Sequence, residues 1–520
     1  MFSKILIANR GEIACRIVRA CRELGIRAAA VHSEADREAL HVRLADEAHP
    51  IGPASPAESY LNVERIVGAA IHCGADAVHP GYGFLSEQAP FAEACSEIGL
   101  VFIGPAPETL RAAGDKIASR AAAGEAGVPI IPGVAPPEGD AEAWSVESWR
   151  AEAGRLGYPV FVKAAGGGGG RGMRRADSPG EIEEAVASAR AEALAAFGDG
   201  GLYLEKMLSA ARHVEVQILG DGSGAAIHLG ERECSVQRRH QKLVEEAPSV
   251  AVTPEIRARL SQAAAAAATS AGYRNAGTVE FLMDSDGNFY FPEMNARLQV
   301  EHPVTEFVYG IDLVAQQLAV AAGEALPDAG DELPEPHGWS IECRINGEDP
   351  YDNFVPSFGL VEYVQPPLGP GTRFDSMLFD GLDVPVFYDS LLGKLIVWAE
   401  TRPDAVARMR RALNDLVIAG VQTNIPFHLE LLKHEDFIAG AISTSWLESE
   451  FTMPAVAEDD PREREALIAA ALAAELVRGN GDASVASGPV SGWQRGARAS
   501  AVHLRTRNGG LRGWQRGIGS

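Results

Sequence analysis

Between residues 293 and 303 the chain reads Glu293-Met294-Asn295-Ala296-Arg297-Leu298-Gln299-Val300-Glu301-His302-Pro303, with polar and apolar side chains alternating through Glu301. In an extended chain this period of two places two carboxylates, two amides and a guanidinium on one face. At about 3.3 Å per residue the row covers about 26 Å, enough to span the metal end of a nucleotide and an adjacent substrate. Glu280, on the strand before the segment, is predicted to lie across from it. With Glu293 it forms a candidate Mg2+ pair, because Mg2+ takes one or two carboxylates together with substrate phosphates. A solvent-exposed amphipathic strand carries the same pattern, but flanks rich in Phe, Tyr, Val and Leu favour a central strand.

A second constellation is the glycine loop, Ala165-Gly166-Gly167-Gly168-Gly169-Gly170-Arg171-Gly172. Glycines let successive backbone N–H groups converge on phosphate oxygens. No Lys-Ser/Thr follows, so this is not a Walker A loop. Lys163 ends the preceding strand, and Lys116, after Gly114-Asp115, opens a helix; both are candidate phosphate cations. The loop reads as a mobile lid, with a flexible linker as the alternative. A third cluster runs from Glu231 to Lys242. Its charge density predicts a solvated loop, or else a site where Lys242 and His240 add positive charge for an anion.

The elements that position these groups follow from periodicity. Residues 5–8, 28–31, 75–78 and 101–103 read as short buried strands. Helical patterns separate them, beginning with Ile13, Ile17, Cys21 and Leu24. This is a βαβ series with a parallel sheet, Rossmann-like but lacking the three-glycine fingerprint at Asn9-Arg10-Gly11. Residues 160–164 form a strand. Ser178-Pro179-Gly180-Glu181 is predicted to cap a helix reaching about residue 197, with Ser178 as N-cap. Residues 263–268 are helix-forming, and 278–283 with 288–291 form a hairpin through Asp284-Ser285-Asp286-Gly287. Residues 327–338 read as a linker; beyond it 340–345, 360–364 and 394–398 are predicted strands and 403–416 a helix. A helix is predicted over 462–477, then a Gly/Arg-rich tail with Gly-Trp-Gln-Arg-Gly at 492–496 and 513–517.

Composition sets the class. The 520 residues predict about three to four domains' worth of chain. Forty-six basic against 71 acidic residues give a net charge of −25, which argues against nucleic acid and anionic membrane as partners. Only seven of the basic residues are lysines: Lys4, Lys116, Lys163, Lys206, Lys242, Lys394 and Lys433. Where Arg serves most cationic needs, the remaining lysines mark sites that require a compact ammonium. Six cysteines without a CxxC pair and no long apolar run imply a soluble, reduced compartment, most simply the cytoplasm. Cys15 and Cys21 read as core residues.

From about residue 1 to 450 the sequence resembles the biotin carboxylase component of biotin-dependent carboxylases, a branch of the ATP-grasp ligases. The matching strings are Ile7 to Ala14, His79-Pro80-Gly81-Tyr82-Gly83-Phe84-Leu85-Ser86-Glu87, the glycine loop, Gln237 to Pro248, Glu293 to Glu306, and Glu342-Cys343-Arg344-Ile345-Asn346. The resemblance implies an α/β and α+β chain in three parts. These are a Rossmann-like domain over 1–114, an ATP-grasp domain over 115–334 with a glycine-loop lid at about 131–205, and a carboxylase C-terminal domain over 335–451. Residues 452–520 are then a helix plus a partly ordered tail.

It also implies the chemistry: MgATP (or MnATP) activates bicarbonate as carboxyphosphate, and N1′ of biotin is carboxylated. ATP would meet Lys116, Lys163, Gly168, Gly169, Gly170, Glu205, Lys206, Leu208, His213, Gln237 and His240. Glu280, Glu293 and Asn295 would belong to the metal site. Lys242, Arg297, Gln299 and the Val300 backbone would hold bicarbonate, and Glu301 would take its proton. Arg344 would stabilise the biotin enolate, with Tyr82 also at the biotin end.

Two residues depart from the family pattern. Ala296 stands where Pro or Thr is common, and its side chain is expected to face away from the polar row. Phe358 replaces a usual Pro. No lysine is flanked by Met on both sides, so biotin is expected on a separate carrier domain or protein, with a carboxyltransferase subunit choosing the final acceptor. Arg16, Arg19 and Glu23 match the family's dimer contact and imply a homodimer or a larger carboxylase assembly. Two other readings are another ATP-grasp ligase, such as a carbamoyl-phosphate synthetase half, and a nucleotide-binding regulatory subunit without turnover. The strings at 79–87 and 342–346 favour biotin over the first, and the intact polar row opposes the second.

Overall fold

The computed structural model describes residues 1–137, 140–166, 172–222, 226–326 and 335–455. The predicted helix at 462–477, the tail and most of the 327–338 linker lie outside them.

The N-terminal part is a five-stranded, all-parallel sheet in the order Glu47–Gly52, Arg27–Ser33, Lys4–Ile7, Ala77–His79, Val101–Phe102. The helices Gly11–Glu23, Val63–Cys73 and Ala89–Glu97 connect its strands. Strands buried along their whole length, such as Lys4–Ile7, read as continuous apolar runs because helices cover a parallel sheet. Gly11 opens its helix at φ +67°, a conformation that favours glycine. Beside it, Asn9 Nδ2 donates to the carbonyls of Pro80 (2.6 Å) and Tyr82 (2.8 Å), tying two of the recognised strings together.

A four-stranded antiparallel sheet occupies the segment expected as a lid: Gly133–Val134, Leu202–Lys206, Val160–Ala164 and Met173–Ala176. Helices Val146–Leu156 and Ile182–Phe197 close over a core containing Trp149, Val160, Val162, Leu202 and Leu204. The second of these helices starts three residues later than its predicted cap allows. Ser178 does not cap it; its hydroxyl donates to the Glu181 carboxylate (2.8 Å), which also accepts the Asp177 N–H (2.9 Å). Pro179-Gly180 is thereby spent on a turn.

The dominant element is a nine-stranded sheet. Its order is Phe289–Tyr290, Arg274–Met283, Arg212–Asp221, Ala226–Arg238, Gln241–Ala247, Trp339–Asn346, Leu391–Ala399, Thr372–Ser376, with Met294–Asn295 also paired to Arg274–Met283. It runs without a break across the predicted boundary at 334–335, because Gln241–Ala247 pairs with Trp339–Asn346. Side chains from both parts therefore share one face. The predicted strand at 360–364 is split: Val361 N–H donates to Leu382 and Glu362 N–H to Ala419, so the chain changes partners there. Phe358 is partly buried against the C-terminal core, which contains Ile341, Leu395, Met409 and Leu413. Among the described residues no helix is long and apolar enough to cross a membrane.

Two expectations about local structure are overturned. The 231–242 cluster is not a solvated loop. It forms most of the strand Ala226–Arg238 with a hairpin turn at Arg239 and His240, and Glu231, Arg232 and Glu233 are buried. Burial is tolerated because each charge has a partner: Arg257, Glu215 and Arg212 respectively. The 293–301 row is extended only at Met294–Asn295. The chain then turns into the helix His302–Tyr309, with Pro303 in its first turn, so the row is folded and does not form a line of about 26 Å. Ala296 does face the apolar core, as expected.

Candidate active site

The site grows out of three antiparallel strands in register. Glu215 lies opposite Glu280 on one side and Arg232 on the other. His213, Glu215 and Gln217 alternate with Val214, Val216 and Ile218, so a polar face sits back to back with a core face. Arg232 is fully buried. It donates to Glu215 (2.5 Å), Gln217 (2.7 Å), Thr305 (3.0 Å) and Thr278 (2.9 Å), which locks four elements together.

Above this floor, Lys242 Nζ meets three carboxylates at once: Glu215 Oε2 (2.6 Å), Glu280 Oε1 (3.0 Å) and Glu301 Oε1 (2.8 Å). Burial opposes the ammonium, but the three carboxylates outweigh it and hold its pKa well above the ordinary value. Glu301 is fully buried, which alone would raise its pKa. Lys242, Arg344 and Arg232 win, holding it well below the usual carboxylate range. The result is a desolvated carboxylate that stays ionised. Its second oxygen lies 3.0 Å from Arg344 Nη2. Arg344 is itself held by Glu245 Oε1, at 2.6 Å from Nε and 2.5 Å from Nη2. Burial and the neighbouring Glu301 push the Glu245 carboxyl up to about 7, against the pull of Arg344 and Lys242.

The three residues expected at a metal site are neighbours: Asn295 meets Glu280 through its side chain and Glu293 adjoins it through the backbone. Glu280 N–H donates to the Glu293 carbonyl (3.0 Å), so the two stand opposite each other on adjacent chains. Asn295 Nδ2 donates to Glu280 Oε1 (2.9 Å), and His213 Nε2 lies 3.1 Å from Glu280 Oε2. Burial raises the Glu280 carboxyl, but Lys242 and His213 outweigh it and hold it below the usual range. Two carboxylates and an amide oxygen make a hard, all-oxygen donor set, so these residues fit Mg2+.

The predicted phosphate cations sit on adjoining elements. Lys116 Nζ lies 2.7 Å from Glu293, and Lys163 pairs with the buried Glu205, which also holds Arg120. Gln237 Nε2 and His213 Nδ1 are 2.7 Å apart, so this predicted pair forms one contact. Lys206 directs its ammonium to the carbonyls of Gly157 (2.6 Å) and Tyr158 (3.3 Å). Leu208 is half-buried just beyond that strand. His240 stands apart at the exposed hairpin turn, with φ +64°. Gly168, Gly169 and Gly170 lie outside the described residues.

The anion side is a turn. Arg297 donates to Glu87 (2.9 Å), Gln299 Oε1 (2.9 Å) and Asn295 Oδ1 (3.3 Å). Glu87 also accepts the Ala296 N–H (3.2 Å), clamping the turn to the N-terminal part. Tyr82 hydroxyl donates to Glu12 beside it. Of the three residues matching the dimer contact, Arg16 is buried within the chain against Glu306 (3.0 Å) and Asp312 (2.7 Å). Arg19 is half-buried and Glu23 exposed.

Sequence reasoning gave no role to Glu215 and Glu245, quoted Arg232 and Glu87 only within longer strings, and marked Lys394 only as a place for a compact ammonium. The alternation His213-Val214-Glu215-Val216-Gln217 was a usable signal for the first. Glu245 carried none, since only its register opposite Glu342 and its contact with Arg344 reveal it.

Comparison with known proteins matches three sequence families along the chain. Residues 1–110 match the biotin carboxylase N-terminal domain, 115–329 the carbamoyl-phosphate synthase L chain ATP-binding domain, and 342–449 the biotin carboxylase C-terminal domain. The chain is 50% identical over 450 residues to biotin carboxylase 1 of Bacillus subtilis, covering 86% of this chain and 99% of that one. A crystal structure of a biotin carboxylase–β,γ-ATP complex from Campylobacter jejuni aligns with TM-score 0.83 and 47% identity, covering 86% of this chain and 99% of that one. The biotin carboxylase domain dimer of Hydrogenobacter thermophilus 2-oxoglutarate carboxylase, with MgADP and bicarbonate, aligns with TM-score 0.82 and 48% identity over 86% of this chain and 97% of that one. The central match alone would suit other ligases, but it is flanked on both sides by carboxylase domains. With half of the 450 aligned residues identical to a relative that it covers to 99%, the chain belongs to the biotin carboxylase family.

Proposed function

We propose that this chain uses MgATP and bicarbonate to carboxylate N1′ of biotin. The observation that carries the reading is the dual grip on Glu301, between Lys242 and Arg344. A buried carboxylate kept ionised is in the form a general base needs, and anionic bicarbonate drawing Lys242 toward itself would raise its basicity at the moment of transfer.

Bicarbonate would lie against Arg297, Gln299, the Val300 N–H and Lys242. Glu301 takes its proton, and the bicarbonate oxygen attacks the γ-phosphorus, releasing ADP and forming carboxyphosphate. Lys116 and Lys163 would exchange Glu293 and Glu205 for ATP phosphates. The nucleotide base would lie along Glu205, Lys206, Leu208, His213 and Gln237. Glu280, Glu293 and Asn295 would hold Mg2+, which supplies charge neutralisation on the phosphates. Carboxyphosphate splits to CO2 and phosphate; the released phosphate takes the biotin N1′ proton, and N1′ bonds to CO2. Arg344 stabilises the enolate oxygen, and Tyr82 stands at the biotin end. Catalysis of this type is positioning and electrostatics.

The domains would be 1–114, 115–334 with its lid at about 131–205, and 335–451. Biotin would arrive on a carrier domain or protein, and a carboxyltransferase would choose the acceptor. A homodimer or larger assembly is supported by the dimeric Hydrogenobacter relative. The test is ADP release from MgATP and bicarbonate, with and without free biotin. Biotin-stimulated turnover is expected. No stimulation by biotin or by a biotinylated carrier would overturn the reading.

A further inference from the structure

Lys394 is fully buried on the strand Leu391–Ala399, between Arg344 and Asp375 in the register of the sheet. Its ammonium donates to the Val300 carbonyl and lies 3.4 Å from Glu12 Oε1, the same oxygen that accepts the Tyr82 hydroxyl. The Tyr82 ring centroid is 5.8 Å from Lys394 Nζ. Three parts of the chain thus meet at one ammonium.

The preceding carbonyl of the turn is fixed too. Gln299 O accepts from His302 Nδ1 (2.8 Å) and from the His302 N–H (3.3 Å). A carbonyl only accepts, so His302 carries its ring proton on Nδ1. The peptide joining Gln299 and Val300 is planar and trans, so the Val300 N–H must point away from His302. It donates to no acceptor among the described residues. With both carbonyls of the turn drawn into the protein, the side that bears this N–H is turned toward the anion site.

We propose that Lys394, seated by Glu12, is a positioning residue that holds the Gln299–Glu301 turn in its bicarbonate-binding conformation. The assignment rests on reading that turn as the bicarbonate site. A lysine suits the role because its compact ammonium serves one carbonyl and one carboxylate from a single point. Its charge strengthens the bond to the carbonyl, and Glu12 balances that charge. The ammonium touches no reacting atom; it acts through the Val300 peptide.

The test uses the full chain and the bicarbonate-dependent ADP-release assay. Lys394→Met is expected to raise the KM for bicarbonate about tenfold, the loss of one charge-assisted hydrogen bond, while ADP affinity stays unchanged. Glu12→Gln keeps side-chain size and is expected to shift the same KM in the same direction by less. An unchanged bicarbonate KM in folded, ADP-binding Lys394→Met overturns the proposal. If that variant does not fold, an unchanged bicarbonate KM in Glu12→Gln does so. Absence of bicarbonate-dependent ADP release in the unaltered chain would instead overturn the activity reading, and this assignment with it.

Discussion

Arg344 Nη2 lies 3.0 Å from Glu301 Oε2, so the residue assigned to biotin touches the residue assigned to the bicarbonate proton. Under the proposed roles the contact would give the two half-steps an order. Glu301 shares Arg344 with Glu245. A proton on Glu301 would weaken its pull, and the guanidinium would then turn to the negative charge developing on the biotin ring.

Glu301→Gln tests the first half. Glutamine keeps the shape but cannot accept the proton, and loss of a general base typically removes 10²- to 10⁴-fold in rate. Bicarbonate-dependent ADP release should fall by about that range, with ADP affinity in a binding titration largely intact. Turnover at the original rate would reject Glu301 as the base.

Arg344→Ala tests the second half. Biotin carboxylation should fall well below the remaining bicarbonate-dependent ATP cleavage, and ADP affinity should hold. Glu245→Gln should show a weaker form of the same split, because Glu245 fixes the guanidinium through both Nε and Nη2. Measuring both half-reactions on one preparation decides it; equal loss in both would count against Arg344 acting at the biotin end.

Much of this was legible in the sequence where a local pattern carried it. The parallel sheet and the 278–291 hairpin could be read from alternation and turn residues, and so could the polar character of the 293–301 row. The 231–242 strand could not. Its charges are buried only because Arg212, Glu215 and Arg257, distant in sequence, arrive opposite them. The same holds for the continuous sheet: nothing local in Gln241–Ala247 announces that it pairs with Trp339–Asn346 across a linker. Alternation at 293–301 suggested one extended row, yet facing Glu87 and leading into a proline-started helix bends it.

Lys163 and Lys116 separate nucleotide binding from bicarbonate use. Each now faces a single carboxylate, Glu205 and Glu293, that a nucleotide phosphate would replace. Lys163→Met should weaken ATP binding by about tenfold or more, in line with losing one hydrogen bond to a charged group. The KM for bicarbonate should change little. A titration with ATP and with bicarbonate in turn reads the difference, and an unaltered ATP affinity would remove Lys163 from the phosphate site.

His428 makes the framework behind Arg344 sensitive to acid. It is fully buried, and its Nε2 lies 2.8 Å from the Arg344 carbonyl. Burial lowers its pKa from 6.5 to about 4, although the hydrogen bond to Arg344 pulls the other way. Between those values the unfolded chain binds the proton and the folded chain does not, so stability falls as pH falls through that window. The shift corresponds to about 3 kcal/mol, fully present above the unfolded value and lost by pH 4. His428→Gln keeps a donor for the carbonyl but has no proton to gain. Denaturant unfolding at pH 7 and pH 5 should therefore show a smaller acid loss in the variant than in the unaltered chain. The same loss in both would place the acid sensitivity elsewhere.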